Sequence, residues 1–152
     1  MKSLISMSVV WSMSTASYAG ELTETSKEGH QSIDARTVIW VTAEEKAMLL
    51  SEMRSFLVAS QKILQASLEG NMDEVEQAAR EVGVRMAKAT PKGLHQKFPE
   101  GFKEMGPKAH MGFEEIADEA SGLGDREVIL EKLADLQKSC IACHAAYQLD
   151  VK

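Results

Sequence analysis

Residues 125–147 read DREVILEKLADLQKSCIACHAAY, and their periodicity decides the fold. Asp125 is a helix-capping residue, and Ile129, Leu133, Leu136, Cys140, Cys143 and Tyr147 recur at three- and four-residue steps, which predicts an amphipathic helix with one buried face. Such a stripe needs partners. Working back along the chain, Pro107 is placed as the first residue of a preceding helix through Met111, Phe113, Ile116, Ala117 and Ala120, ended by Gly122 to Gly124. Asn71 and Glu74 cap a helix carrying Val75, Ala78, Ala79, Val82 and Met86 until Thr90 and Pro91. Thr42 and Glu45 form a capping box before Leu49, Met53, Phe56, Leu57, Ser60, Ile63, Leu64 and Ser67, and Gly70 stops that pattern. Four helices of this length pack most simply as an all-α antiparallel four-helix bundle with up-down-up-down topology over residues 42–152.

Composition agrees with helices. Of 152 residues only 5% are aromatic and 3 are Pro, which disfavours a sheet protein. The balance of 17 Lys+Arg against 23 Asp+Glu gives a net charge of −6, unsuited to a nucleic-acid-binding module. Residues 1–19 read as a signal peptide: Lys2 supplies a positive end, Leu4 to Met13 is mostly apolar, and Ser17, Tyr18 and Ala19 fit a cleavage site. That apolar stretch is about 10 residues where a span needs roughly 20, so no membrane span is expected after cleavage. Loss of Lys2 leaves 16 basic and 23 acidic residues, a net of −7, which favours a partner with a basic or neutral docking face. Residues 20–41 are expected to form a flexible lead-in.

The chemistry is concentrated in Cys140, Ile141, Ala142, Cys143 and His144. Two thiols three positions apart share one side of a helix, and the imidazole follows directly, so a flat macrocycle can be held by two thioether bonds while His144 reaches its iron. This is the pattern of c-type haem attachment. A thioredoxin-like pair would need a strand before the motif and a helix starting at it. A structural zinc site lacks a second Cys pair, and a simple disulfide leaves His144 unexplained. Haem c is made outside the cytoplasm, so the signal peptide and the motif both point to a periplasmic protein.

A helical chain with its single Cys-x-x-Cys-His near the C-terminus, continuing here as Ala145, Ala146 and Tyr147, resembles the class II c-type cytochromes, the cytochrome c′ group and its low-spin relatives. The likeness covers about Thr42 to Val151. It implies a four-helix bundle, His144 as proximal iron ligand, and a residue of the first helix on the other side of the iron. The family often has an Arg directly after the position of Tyr147, near a haem propionate. Gln148 stands there in this chain, so Arg54, Lys46 or water would take that role. The family also implies a homodimer paired through the first two helices, for which Leu50 and Leu68 lie off the main stripe.

The sixth iron position separates two functions. A thioether there gives a low-spin iron suited to electron transfer with redox partner proteins, whereas an open site gives a five-coordinate haem protein binding NO or CO. Met53 is the candidate distal ligand: at about 1.5 Å per residue it lies roughly 15 Å into the first helix, and His144 is expected roughly 9 Å from the end of the last. Leu49 or Leu50 facing the iron is the competing arrangement, and a core-filling role suits Met53 as well. His30 and His95 are expected in solvent, and His110 on the surface or at a cap, with a distal role weighed against that. Residues 91–113 carry Lys92, Lys97, Lys103 and Lys108 against Glu100 and Glu104, a charge run expected to be solvated. No acid and base pair is identifiable for enzymatic catalysis.

Overall fold

The computed structural model describes residues 34–152. The expected signal peptide, His30 and the lead-in up to residue 33 lie outside the described residues. Helices dominate: α1 (Ala43–Glu69), α2 (Met72–Val82), the single turns α3 (Val84–Ala87) and α4 (Lys92–His95), α5 (Glu100–Ser121) and α6 (Arg126–Ala146). Two short strands, β1 (Thr37–Val41) and β2 (Tyr147–Val151), flank them. Among the described residues no helix is long and apolar enough to cross a membrane.

The helix starts follow from local hydrogen bonds. Thr42 Oγ1 accepts from the Glu45 N–H at 3.2 Å while a Glu45 carboxylate oxygen accepts from the Thr42 N–H at 2.8 Å, so two N–H groups without helical partners are satisfied. Asn71 Oδ1 accepts from the Glu74 N–H at 3.2 Å, and Asp125 accepts from Glu127 and Val128. Gly70 ends α1 with φ 75°, a left-handed conformation that a Cβ would strain.

Four boundaries depart from the sequence-based expectation. The helix expected from Asn71 to Thr90 ends at Val82, because Gly83 turns extended and leaves Met86 in the separate turn α3. The lead-in expected over 20–41 ends in β1, whose Ile39 and Val41 are buried and pair in parallel with Leu149 and Val151 of β2. The last helix stops at Ala146 because residues 147–151 turn extended to make that pairing. The helix expected from Pro107 begins at Glu100, with Pro107 inside it. Pro107 forfeits one backbone bond, but Phe98 and Phe102 pack at 4.6 Å and Phe102 meets Tyr147 edge-on at 5.4 Å, contacts that hold the first turns of α5 in place. On α1, Leu57 and Leu64 are exposed and not part of the buried stripe, which runs through Leu49, Phe56, Ala59, Ile63, Ala66 and Ser67.

Each of α1, α2, α5 and α6 packs against two of the others: α2 lies between α1 and α5, and α6 between α5 and α1. The buried apolar residues form two separate clusters. The larger joins Phe56, Ile63, Val75, Val82, Phe113, Ile116, Ile129, Leu133 and Leu136. The smaller joins Ile39, Val41, Leu49, Leu94 and Phe98, with Met48, Phe102, Tyr147 and Leu149 against it.

Candidate functional site

On three helices a half-buried stretch lies between residues of the two clusters, and sulfur marks it on each. Along α1, Leu49 belongs to the smaller cluster and Phe56 to the larger, with half-buried Met53 between them and packed on the larger. Along α5, Met105 falls between Phe102 and Phe113. Along α6, Cys140 and Cys143 fall between Leu136 and Tyr147. Both cysteines are free and half-buried.

Close helix approach sets the register of α5 on α6. A Cβ on Gly112 would lie 2.8 Å from Leu136 Cδ1 of α6, and one on Gly101 would lie 2.5 Å from Tyr147 Oη just past the end of α6, so a larger side chain at either position would push these neighbours aside. The paired positions run in opposite directions, which makes α5 and α6 antiparallel. At 100° per residue Leu136, Cys140 and Cys143 share the stripe that faces α5, and the register sets Met105 level with Cys143 and Lys108 level with Cys140.

Burial raises the thiol pKa of Cys140 and Cys143, the latter also through the charge of Cys140, so both are S–H groups at neutral pH. His144 is exposed in the last turn of α6. Its backbone carbonyl accepts from Arg36 Nη1 at 3.4 Å, and Gln148 Nε2 donates to the Arg36 carbonyl at 3.4 Å. Asp34 holds the same guanidinium at 2.5 Å. Of the two cations named from the sequence, Lys46 is 4.0 Å from Asp150 and exposed Arg54 lines a groove of about 280 Å³ between α1 and α2. The cation beside the motif is Arg36.

The early end of α6 changes the expected depth of Met53. His144 is about 3 Å from the helix end rather than roughly 9 Å. Glu52 meets His110, which the α5–α6 register sets level with Lys138, so Met53 lies roughly 9 Å along the axis from His144. The structure thus brings the two cysteines and His144 to one end of α6, and Met53 to the half-buried stretch of α1 at a different height.

His110 is buried rather than at the surface or a cap. Its Nδ1 donates to the Val82 carbonyl at 2.8 Å, its Nε2 is 3.1 Å from a Glu52 carboxylate oxygen, and Phe56 packs at 5.0 Å. Both ring nitrogens are engaged, so His110 is not poised as an iron ligand. Burial lowers its pKa, but the hydrogen bonds to Glu52 and Val82 outweigh that and leave it raised above 6.5. The protonated form is therefore favoured in the fold, and its stabilisation is full below the unfolded value near 6.5 and lost as pH rises through the folded one. His110→Gln is expected to cost about 2 kcal/mol at pH 6, with a deficit that narrows toward alkaline pH, read from urea unfolding midpoints. His95 is exposed, beside Phe98 at 6.1 Å.

Sequence spacing alone could not find Arg36, Met105 or the Glu52–His110 pair. Starting the third helix at Pro107 left Met105 in a connection, and Arg36 stood in the lead-in. Among the described residues no three His, Cys, Asp or Glu side chains converge as a metal-binding group. Compared with known proteins, the chain matches no family model, no curated protein and no solved structure.

Proposed function

We propose that the protein is an exported, periplasmic mono-haem c-type cytochrome that transfers electrons, built as an antiparallel four-helix bundle with α1, α2, α5 and α6 running up, down, up and down. One observation carries this reading: two half-buried S–H groups lie one helical turn apart at the break between two apolar clusters, with His144 directly after them. A flat apolar macrocycle suits such a band, and the donor set suits it too, because a porphyrin brings four ring nitrogens and asks the protein for one or two axial ligands. Cys140 and Cys143 would hold haem c covalently, and His144 would be the proximal ligand. When bound, the iron supplies a one-electron ferrous/ferric couple. The chain's own residues would fix the group to α6, the cluster around Leu49 and Phe98 would help to exclude water from it, and α1 would offer a sixth ligand.

Met53 is the candidate for that ligand, being the half-buried thioether at the cluster break on α1. The test is the reduced visible spectrum of protein made in an export- and maturation-competent host. A His/Met iron gives sharp split bands and does not take up CO readily. Met53→Leu is expected to convert it to a five-coordinate, CO-binding iron with loss of the split bands. Prompt CO binding by the unmodified protein would instead support the NO- or CO-binding alternative, with Met53 a core residue. Pairing of two copies along α1 belongs to the same proposal, because Leu50, Leu57, Leu64 and Leu68 are all exposed and lie within roughly 40° of one another around the helix. Sedimentation equilibrium of Leu57→Glu/Leu64→Glu, monomeric where the parent is dimeric, checks it.

A further inference from the structure

The charges of this acidic chain are unevenly placed along its length. The Glu52–His110–Val82 contact and the α5–α6 register divide residues 34–152 at one level. On the side of the cysteines, residues 34–52, 83–110 and 137–152 hold ten Lys and Arg against seven Asp and Glu. On the other side, residues 53–82 and 111–136 hold five against thirteen. The first part has a side-chain net of +3 and the second −8. Two propionates of a bound haem would lessen the local excess but not remove a difference of that size.

The cations also sit where they can be met. Lys108 is exposed, level with Cys140 on α5, and Lys92 is exposed on α4; neither makes an ion pair among the described residues. Lys97 and Lys103 bridge Glu45 and Glu100, and those exposed bridges leave ammonium groups at the surface. At physiological ionic strength charges are screened over about 8 Å, and the first turns of α2 and α6 lie about 20 Å along the axis from Cys140. An approaching partner therefore meets the local cations, not the net charge of the whole chain.

We propose that the cysteine-bearing end of the molecule docks an acidic face of its redox partner, with Lys92 and Lys108 at the contact. This rests on the haem reading above, and it reverses the basic or neutral partner that net charge alone favours. The test uses haem-loaded protein at about 0.15 M ionic strength, and measures second-order oxidation of the reduced form by hexacyanoferrate(III), an anion, and by tris(phenanthroline)cobalt(III), a cation. Lys92→Glu/Lys108→Glu is expected to slow the anionic reagent about threefold or more and to speed the cationic one, with Lys92→Gln/Lys108→Gln in between. Asp73→Lys/Glu127→Lys, at the opposite end, is expected to leave both rates nearly unchanged. If the two charge reversals act alike, or if the lysine variants leave the rates unmoved, the docking proposal is overturned while the haem reading stands. A colourless protein overturns both.

Discussion

Cys140→Ala/Cys143→Ala is expected to yield a chain from which no colour survives acid–acetone extraction, and whose intact mass is that of the bare polypeptide. The effect is all-or-none because the attachment has no other donor: these are the only two cysteines in the sequence. Each thiol would add across a vinyl group of the porphyrin, sulfur bonding to one carbon and the hydrogen ending on its neighbour, so that attachment would consume no oxidant. Burial keeps both groups as S–H, and one turn of α6 sets their spacing. Each single variant is expected to retain colour through one thioether bond. A double variant with the full mass of a haem adduct would end the assignment of these residues.

Phe113→Ala is expected to cost about 3–5 kcal/mol, the usual range for emptying an aromatic site in a packed core. Phe113 is fully buried, stacks on Phe56 at 5.3 Å, and lies one residue past Gly112, where α5 presses on Leu136. The cavity cannot collapse easily, since glycine at 112 has already brought the two helices together. Thermal unfolding should fall by roughly 12–20 °C. A loss below about 1 kcal/mol would mean that the larger cluster is not packed as described.

The parts of the fold legible in the sequence are those fixed within one or two helical turns. Thr42 with Glu45, Asn71 with Glu74, and Asp125 each mark a helix start, because a cap is a bond between residues two or three apart. The strand pair was not legible. TVIWV is five residues long and YQLDV continues a helical stripe, and each becomes a strand only because the other, 110 positions away, supplies its hydrogen bonds. Pro107 misled for a similar reason: a proline marks helix starts on average, but here aromatic packing around Phe98 and Phe102 extends α5 ahead of it. The candidate site divides in the same way. Cys140, Cys143 and His144 fall within five residues and stand out by spacing, whereas Arg36, Met105 and the Glu52–His110 pair reach their neighbours only after distant segments have packed.

The parallel pairing of β1 with β2 bears on how the motif can be reached. Two strands alone are marginal in water, and among the described residues no third strand joins this pair, so it can fray at a free-energy cost below that of melting the helices. Such an excursion detaches the chain just beyond His144 and leaves the larger cluster around Phe113 and Ile129 in place. Enzymes that handle the sulfurs of Cys140 and Cys143 would then work through a hinged flap on an otherwise finished molecule.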